Sequence, residues 1–327
     1  MKRNIIYILL FSLLTSCVTP PSVENSTVIP NKEVQFVTLV KKGQEYANAG
    51  RPELAETEIR KALKIDNTVS SVYNDLGYVL LQQQRFDEAE KVYFAALKYN
   101  SKNIVAVENL AKVLFKKGDI KTSIKLFEKF FELYNSLSDE QIKILVSEGY
   151  STKDLQSILR SLATAYYESG EYDEAICNSL KSFSLTSDIN NVAYHERLLL
   201  SLERVKQAKT FLESNIKTNM SNLPAGLQLD YAIVLYLTSD YNLSKDNLLL
   251  LQTAKGINTD EKREALLLSL LIAKKQKNNE DFLSIKEAFN SDNYQFCANI
   301  KINKEGYWPS DFYQEMLDIT NGLCAKI

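Results

Sequence analysis

The 327 residues carry 39 basic and 41 acidic side chains, a formal net charge of -2, so the electrostatic footprint of a nucleic-acid binder is missing. Four cysteines and one histidine, with no Cys-x2-Cys pair, argue against the usual zinc sites, and no metal, cofactor or catalytic group is expected. The length allows either two compact domains or one array of repeats.

Lys2 and Arg3 precede the apolar run Ile5 to Leu14, and residues 1–16 read as a secretory signal peptide too short to span a bilayer permanently. Leu14-Thr15-Ser16-Cys17 resembles the bacterial lipobox. That resemblance implies cleavage before Cys17 and attachment of acyl chains (palmitate among them) that hold the protein at a membrane, and Val18 in place of Asp favours the outer one. An ordinary signal peptide with a chance cysteine is the alternative. Residues 17–35, with Pro20, Pro21 and Pro30 among small polar residues, form the expected tether.

From Phe36 the pattern turns helical. In residues 70–103, Tyr73, Leu76, Leu80 and Leu81 give the apolar stripe of one helix, and Ala89, Val92, Tyr93 and Ala96 that of a second. Gly77, Ala89 and Ala96 allow close approach, and Asp87 is predicted to cap the second helix. A step of 34 residues recovers the unit: Gly43, Gly77 and Ala111 correspond, as do Ala55, Ala89 and Ser123. Gly50, Gly118 and Gly170 share one turn slot where positive φ is needed. Tyr73-x2-Leu76-Gly77-x2-Leu80 with Ala89-x3-Tyr93 resembles the tetratricopeptide repeat, although the usual Trp and terminal Pro are replaced.

The resemblance implies an all-α, TPR-type solenoid of helical hairpins wound as a right-handed superhelix. Three units are predicted over 36–137. Residues 138–155 interrupt the period, with Ser138 and Gln141 as a capping box and Gly149 as C-cap of one extra helix. The insertion is either a partner-specific ridge or simply tolerated. Units continue over 156–292, degenerate toward the end as terminal repeats are, and Cys177 inside one of them reads as a small core residue. In the C-terminal cap, 293–327, Ser310 is the expected N-cap of a short helix carrying Phe312, Met316 and Leu317 over the last repeat. Cys297 and Cys324 flank this segment and can close a disulfide worth about 3–4 kcal/mol in an oxidising periplasm, two free buried thiols being the alternative.

Catalytic readings fail on their own terms. His195-Glu196 begins a His-Glu-x-x-His motif, but Leu199 stands where the second histidine is required. Ser214-x2-Lys217, Ser291-Asp292-Asn293 and Lys304-Glu305-Gly306 imitate the motif order of penicillin-binding enzymes, yet Glu305 replaces a hydroxyl and a helical chain lacks the required sheet. A serine acyl-transfer enzyme is therefore a remote alternative. Lys121, Lys125 and Lys129 form a basic helical face, more simply a solvated one.

Repeats of this resemblance bind peptides or partner helices along the first helix of each hairpin. By register the groove carries Gln44 and Asn48, then Asn74, Tyr78 and Gln82. It continues with Glu108, Lys112 and Phe115, then Arg160, Thr164 and Tyr167. The carboxylate-binding clamp of cytosolic chaperone-binding relatives is absent, since the matching positions include Val40, Asp75, Val105 and Asn109. The expected protein is a lipid-anchored outer-membrane scaffold facing the periplasm, pilotin-like, that binds an envelope protein or peptide and assists assembly of a type IV-like pilus or secretion channel. An adaptor for peptidoglycan hydrolases uses the same architecture.

Overall fold

The computed structural model describes residues 31–147, 149–186, 188–216, 223–252, 256–291 and 308–324. The expected signal peptide and lipidation residue Cys17, Cys297 and the motif residues Lys217 and Lys304 lie outside them, as does the Cys324 side chain. Among the described residues every regular element is an α-helix. The chain divides into two compact units, ending and beginning at Asn178 and Ser179.

The first unit contains three helical hairpins: α1 (Lys32–Asn48) with α2 (Pro52–Ile65), α3 (Ser70–Gln82) with α4 (Phe86–Tyr99), and α5 (Ile104–Lys116) with α6 (Ile120–Asn135). A short α7 (Asp139–Ser147) precedes α8 (Thr152–Ser169), and the chain passes into the second unit within α9 (Tyr172–Leu185). The second unit pairs α10 (Ile189–Ser201) with α11 (Val205–Asn215), α12 (Ala225–Leu237) with α13 (Tyr241–Gln252), and α14 (Thr259–Lys275) with α15 (Asn279–Ser291). It ends in α16 (Ser310–Cys324). In each hairpin the first helix is called A and the second B.

One turn closes every hairpin. At Gly50, Gly118 and Gly170 the backbone is left-handed, with φ of 69°, 85° and 85°. Gln84, Glu203, Ser239 and Lys277 adopt the same conformation in the remaining hairpins despite carrying a Cβ. In each, the next residue's N–H reaches back to the A helix, as Arg51 N to Tyr46 O at 2.9 Å and Asn278 N to Ala273 O at 2.9 Å. These paired bonds cap the last carbonyls of the A helix and aim the B helix back along it.

Small residues then set the spacing. A Cβ on Gly43 would sit 2.5 Å from Ile59 Cγ1, and one on Gly77 would sit 2.5 Å from Tyr93 Cζ. The facing B positions Ala55, Ala89, Ala175 and Ala208 are fully buried. Where serine takes that place its hydroxyl bonds a carbonyl of the A helix: Ser123 Oγ to Ala111 O at 2.8 Å and Ser244 Oγ to Ala232 O at 2.7 Å. The α10–α11 hairpin departs from this rule. At the A position held elsewhere by Gly77 or Ala232 stands Glu196, fully buried, with neither carboxylate oxygen hydrogen-bonded among the described residues. Burial, then the neighbouring Asp230, push its carboxyl well above the usual range, against the pull of Arg197.

Each unit has its own apolar core. That of the first runs through Ile59, Leu76, Val79, Leu80 and Tyr93. Val72 and Val79 share the stripe of α3 with Leu76 and Leu80, while Tyr73 and Leu81 are only half-buried at its margins. Tyr73 instead stacks on Tyr99 at 5.5 Å. The core of the second unit centres on Leu229, Ile233, Leu268 and Leu271, joined by Phe312, Met316, Ile319 and Leu323 of α16.

Three local expectations are corrected. Asp87 is inside the first turn of α4, whose N-cap is Arg85, and it pairs with Lys117 at 2.5 Å rather than capping the helix. Cys177 is exposed, because it lies two positions from the buried Ala175 and so off the packed stripe. Ser310 is the first residue of α16, and its hydroxyl donates to Glu203 at 3.3 Å. The extra helix and its caps match the sequence: Gln141 N bonds Ser138 Oγ at 3.3 Å, Ser138 N bonds Gln141 Oε1 at 2.9 Å, and Gly149 is left-handed.

Candidate protein-binding surface

Within the first unit α1, α3, α5 and α8 are neighbours in turn, so their faces away from the B helices form one surface. Counting back from the left-handed turn residue, Asn74, Glu108 and Arg160 fall at one level, and Gln44, Tyr78, Lys112 and Thr164 at the next. The predicted groove residues are therefore collected on consecutive helices.

Their environments differ. Asn48 and Gln82 are exposed near the turns, and Tyr78 keeps 47% of its surface in water. Gln44, half-buried, donates through Nε2 to Asp75 Oδ2 at 2.8 Å, tying α1 to α3. Asn74 donates to Asn103 Oδ1 at 3.0 Å, while its own buried Oδ1 has no partner among the described residues. Phe115 is half-buried. On α8 the Thr164 hydroxyl donates to Arg160 O at 2.9 Å, and the half-buried Tyr167 ring leans on Tyr172 at 5.7 Å.

Glu108 is not an exposed groove residue. It is 2% exposed: Lys112 pairs with one carboxylate oxygen, and Tyr150, arriving from the inserted segment, donates to the other at 2.9 Å. Tyr150 is itself 5% exposed, with its ring 6.2 Å from that of Phe130. The insertion thus seats an aromatic side chain on the A face at α5, while Ile144 and Val146 of α7 point into water.

Beneath Asn74 and Tyr78 lies a polar floor that the groove register alone did not single out. Gly77 leaves room for the tip of the Tyr93 ring, whose hydroxyl is buried without a hydrogen-bond partner among the described residues. Burial raises this phenol above its usual range, and the nearby Glu108 and Asp75 carboxylates, with Tyr78, raise it further. Burial also pushes the Asp75 carboxyl up to about 6, against the single hydrogen bond from Gln44. A tyrosine in an apolar stripe signals core in sequence; only the glycine opposite it hints that the ring end crosses the A helix.

The second unit treats the same face differently. At the levels of Asn74 and Tyr78 stand Leu229 and Ile233 on α12, and Leu267 and Leu271 on α14, all at most 2% exposed. They pack in one core with Phe312, Met316, Ile319 and Leu323, spaced to share one side of α16. The Tyr236 hydroxyl donates to Glu315 Oε2 at 2.7 Å, and Lys275 pairs with Glu315 Oε1 at 2.5 Å. Phe312 lies 5.6 Å from the Tyr236 ring and Trp308 lies 5.2 Å from Phe312. The C-terminal helix covers the A face, while Leu317, expected at the interface, is half-buried.

Two residues raised by enzyme-like motifs, His195 and Ser214, are held by contacts within the fold. His195 is 2% exposed, its Nδ1 is 2.6 Å from Ser179 Oγ, and its ring meets Phe211 at 4.4 Å. Burial pushes its pKa down to about 4, so the ring is neutral. The Ser214 hydroxyl donates to Thr210 O at 2.7 Å within its own helix. Among the described residues no group of three or more His, Cys, Asp and Glu could hold a metal ion.

Residues 40–102 and 74–136 match the tetratricopeptide repeat family. No curated protein sequence matches the chain significantly. A tetratricopeptide repeat protein from Parabacteroides merdae ATCC 43184 is similar in structure, with 16% identity over 88% of this chain and 99% of that one at a TM-score of 0.50. PilF of Pseudomonas aeruginosa is 16% identical over 87% of this chain and 99% of its own, at 0.44. YrrB, described as a tetratricopeptide protein with an unusual peptide-binding site, is 13% identical over 70% and 97%, at 0.43. The first likeness shows the helical-repeat fold alone. Proteins built of tetratricopeptide repeats mediate protein–protein interaction.

Proposed function

We propose that this chain is a lipid-anchored scaffold of the bacterial outer membrane, facing the periplasm, whose first unit binds an envelope protein and assists assembly of a type IV-like pilus or secretion channel. The observation that carries the binding part is the A face of α1, α3, α5 and α8. Its solvent-facing residues mix amide, aromatic and charged groups, as suits recognition of a peptide backbone plus a few anchors. Membrane attachment rests on Leu14-Thr15-Ser16-Cys17 behind a short apolar run. Among the described residues no helix is long and apolar enough to cross a bilayer.

Two measurements test this. Cys17→Ala is expected to leave the chain unprocessed and without lipid, as read by metabolic labelling with a fatty acid; a wild-type protein that is soluble without detergent and unlabelled removes the anchor. Affinity capture from crosslinked membranes, compared with a Tyr78→Ala, Lys112→Ala, Arg160→Ala variant, is expected to recover pilus or secretion-channel subunits that the variant loses. Recovery of wall hydrolases instead redirects the reading to an adaptor, and partners retained by the variant place binding elsewhere.

A further inference from the structure

Resting on the reading that the A face of the first unit takes the partner, we propose that Asp75, Tyr78 and Tyr93 form a pocket on that face for one cationic side chain, lysine or arginine, of the bound protein. The floor is negative. Asp75 approaches from α3 and Glu108 from α5, and both carboxylates lie close enough to act on the Tyr93 hydroxyl. Glu108 is already engaged by Lys112 and Tyr150. Asp75, by contrast, has the neutral amide of Gln44 as its hydrogen-bond partner, so the pocket keeps one carboxylate without a counter-charge.

Two further polar atoms lack partners among the described residues: the hydroxyl of the fully buried Tyr93, and Oδ1 of Asn74, the residue before Asp75 on α3. The tyrosine is oriented by packing, because Gly77 admits its ring tip, while Asn74 is held by the bond from its amide to Asn103 Oδ1. A buried hydroxyl and a buried amide oxygen left without partners are costly, and an ammonium or guanidinium supplies donors to oxygens that need them. Tyr78, nearly half exposed on the same turn of α3, offers an aromatic face to the same cation. The arrangement selects positive charge, since an anion would meet Asp75 and a neutral chain would bury it unpaired.

The probes are N-acetyl-arginine amide, N-acetyl-lysine amide and the neutral N-acetyl-norleucine amide, added to the full chain with ring-labelled tyrosines. The cationic probes are expected to move the Tyr78 and Tyr93 ring resonances saturably, norleucine not at all, and Asp75→Asn to weaken the effect about tenfold. The same substitution is expected to raise the thermal midpoint at pH 7, because it removes a buried charge while keeping a partner for Gln44. Equal shifts with norleucine, shifts unaffected by Asp75→Asn, or a lowered midpoint overturn the pocket. Crosslinked capture separates this from the groove reading: loss of partner in Tyr78→Ala but not in Asp75→Asn removes the pocket alone. Retention in both, with the probe shifts present, removes the groove reading alone.

Discussion

The two units use one hairpin for opposite ends. In the first, the A face is left in water and its side chains are polar or aromatic; in the second, the same levels are leucine and isoleucine and the chain's own α16 lies on them. A helix that is apolar on one stripe needs one partner layer, and a helix apolar all round needs two. α12, AGLQLDYAIVLYL, is of the second kind, and α3, SSVYNDLGYVLLQ, of the first. The composition of a single helix face decides whether a repeat offers a surface or consumes one.

The largest expected effect comes from removing the cover. Phe312→Ala should cost about 3–5 kcal/mol, as for other buried aromatics. Trp308, the single tryptophan, packs on that ring and reports the loss directly through its emission. If stability falls while tryptophan emission stays blue-shifted, α16 is not what seals the second unit.

Acidification should distinguish the units next. His195 has a folded pKa of about 4 against an ordinary 6.5, so its contribution is present above 6.5 and is lost as pH falls through 4, on the order of 3 kcal/mol. Asp75 has the opposite sign: raised to about 6, it favours folding below the ordinary carboxylate pKa of 3.8 and loses that contribution as pH rises through 6. Lowering the pH from 6.5 to 4 therefore removes the His195 contribution from the second unit, where the raised carboxyls of Glu196, Asp230 and Glu264 act in the opposite direction, while it relieves Asp75 in the first. Denaturation followed at Trp308 should be less sensitive to acid in His195→Gln than in the unsubstituted chain.

Gly77→Ala addresses the first unit alone. The new methyl would press on Tyr93, costing about 1–3 kcal/mol, and chemical denaturation with tyrosine absorbance reads it. The smallest effect is expected at the turns. Replacing Glu203, Ser239 and Lys277 by glycine should stabilise the second unit by roughly 1 kcal/mol each, since a side chain in the left-handed region is strained. A thermal midpoint that does not rise would mean these turns are relaxed as they stand.

Much of the hairpin architecture was legible because the turn slot and the small-residue seam recur at fixed spacing, and the groove levels follow from the same count. What escaped was contact between elements distant in sequence. Glu108 looks like a groove residue until Tyr150, within the insertion, is seen to cover it. The role of α16 was half visible: Phe312 and Met316 announced an apolar side, but Leu229, Ile233, Leu267 and Leu271 were not read as the levels that would receive it. Cys177 and Asp87 were misplaced by a step or two along a helix, enough to turn one outward and to move the other from a cap into the first turn. Tyr93 was recognised as core, though not as a ring whose polar end reaches the other side of its helix pair.

Glu196 carries a consequence for how the chain is made. A carboxyl whose pKa burial raises in the folded hairpin holds its proton more tightly there than in the open chain, so closing α10 on α11 is linked to proton uptake. The neighbouring hairpins, seamed by alanine, carry no such requirement at that position.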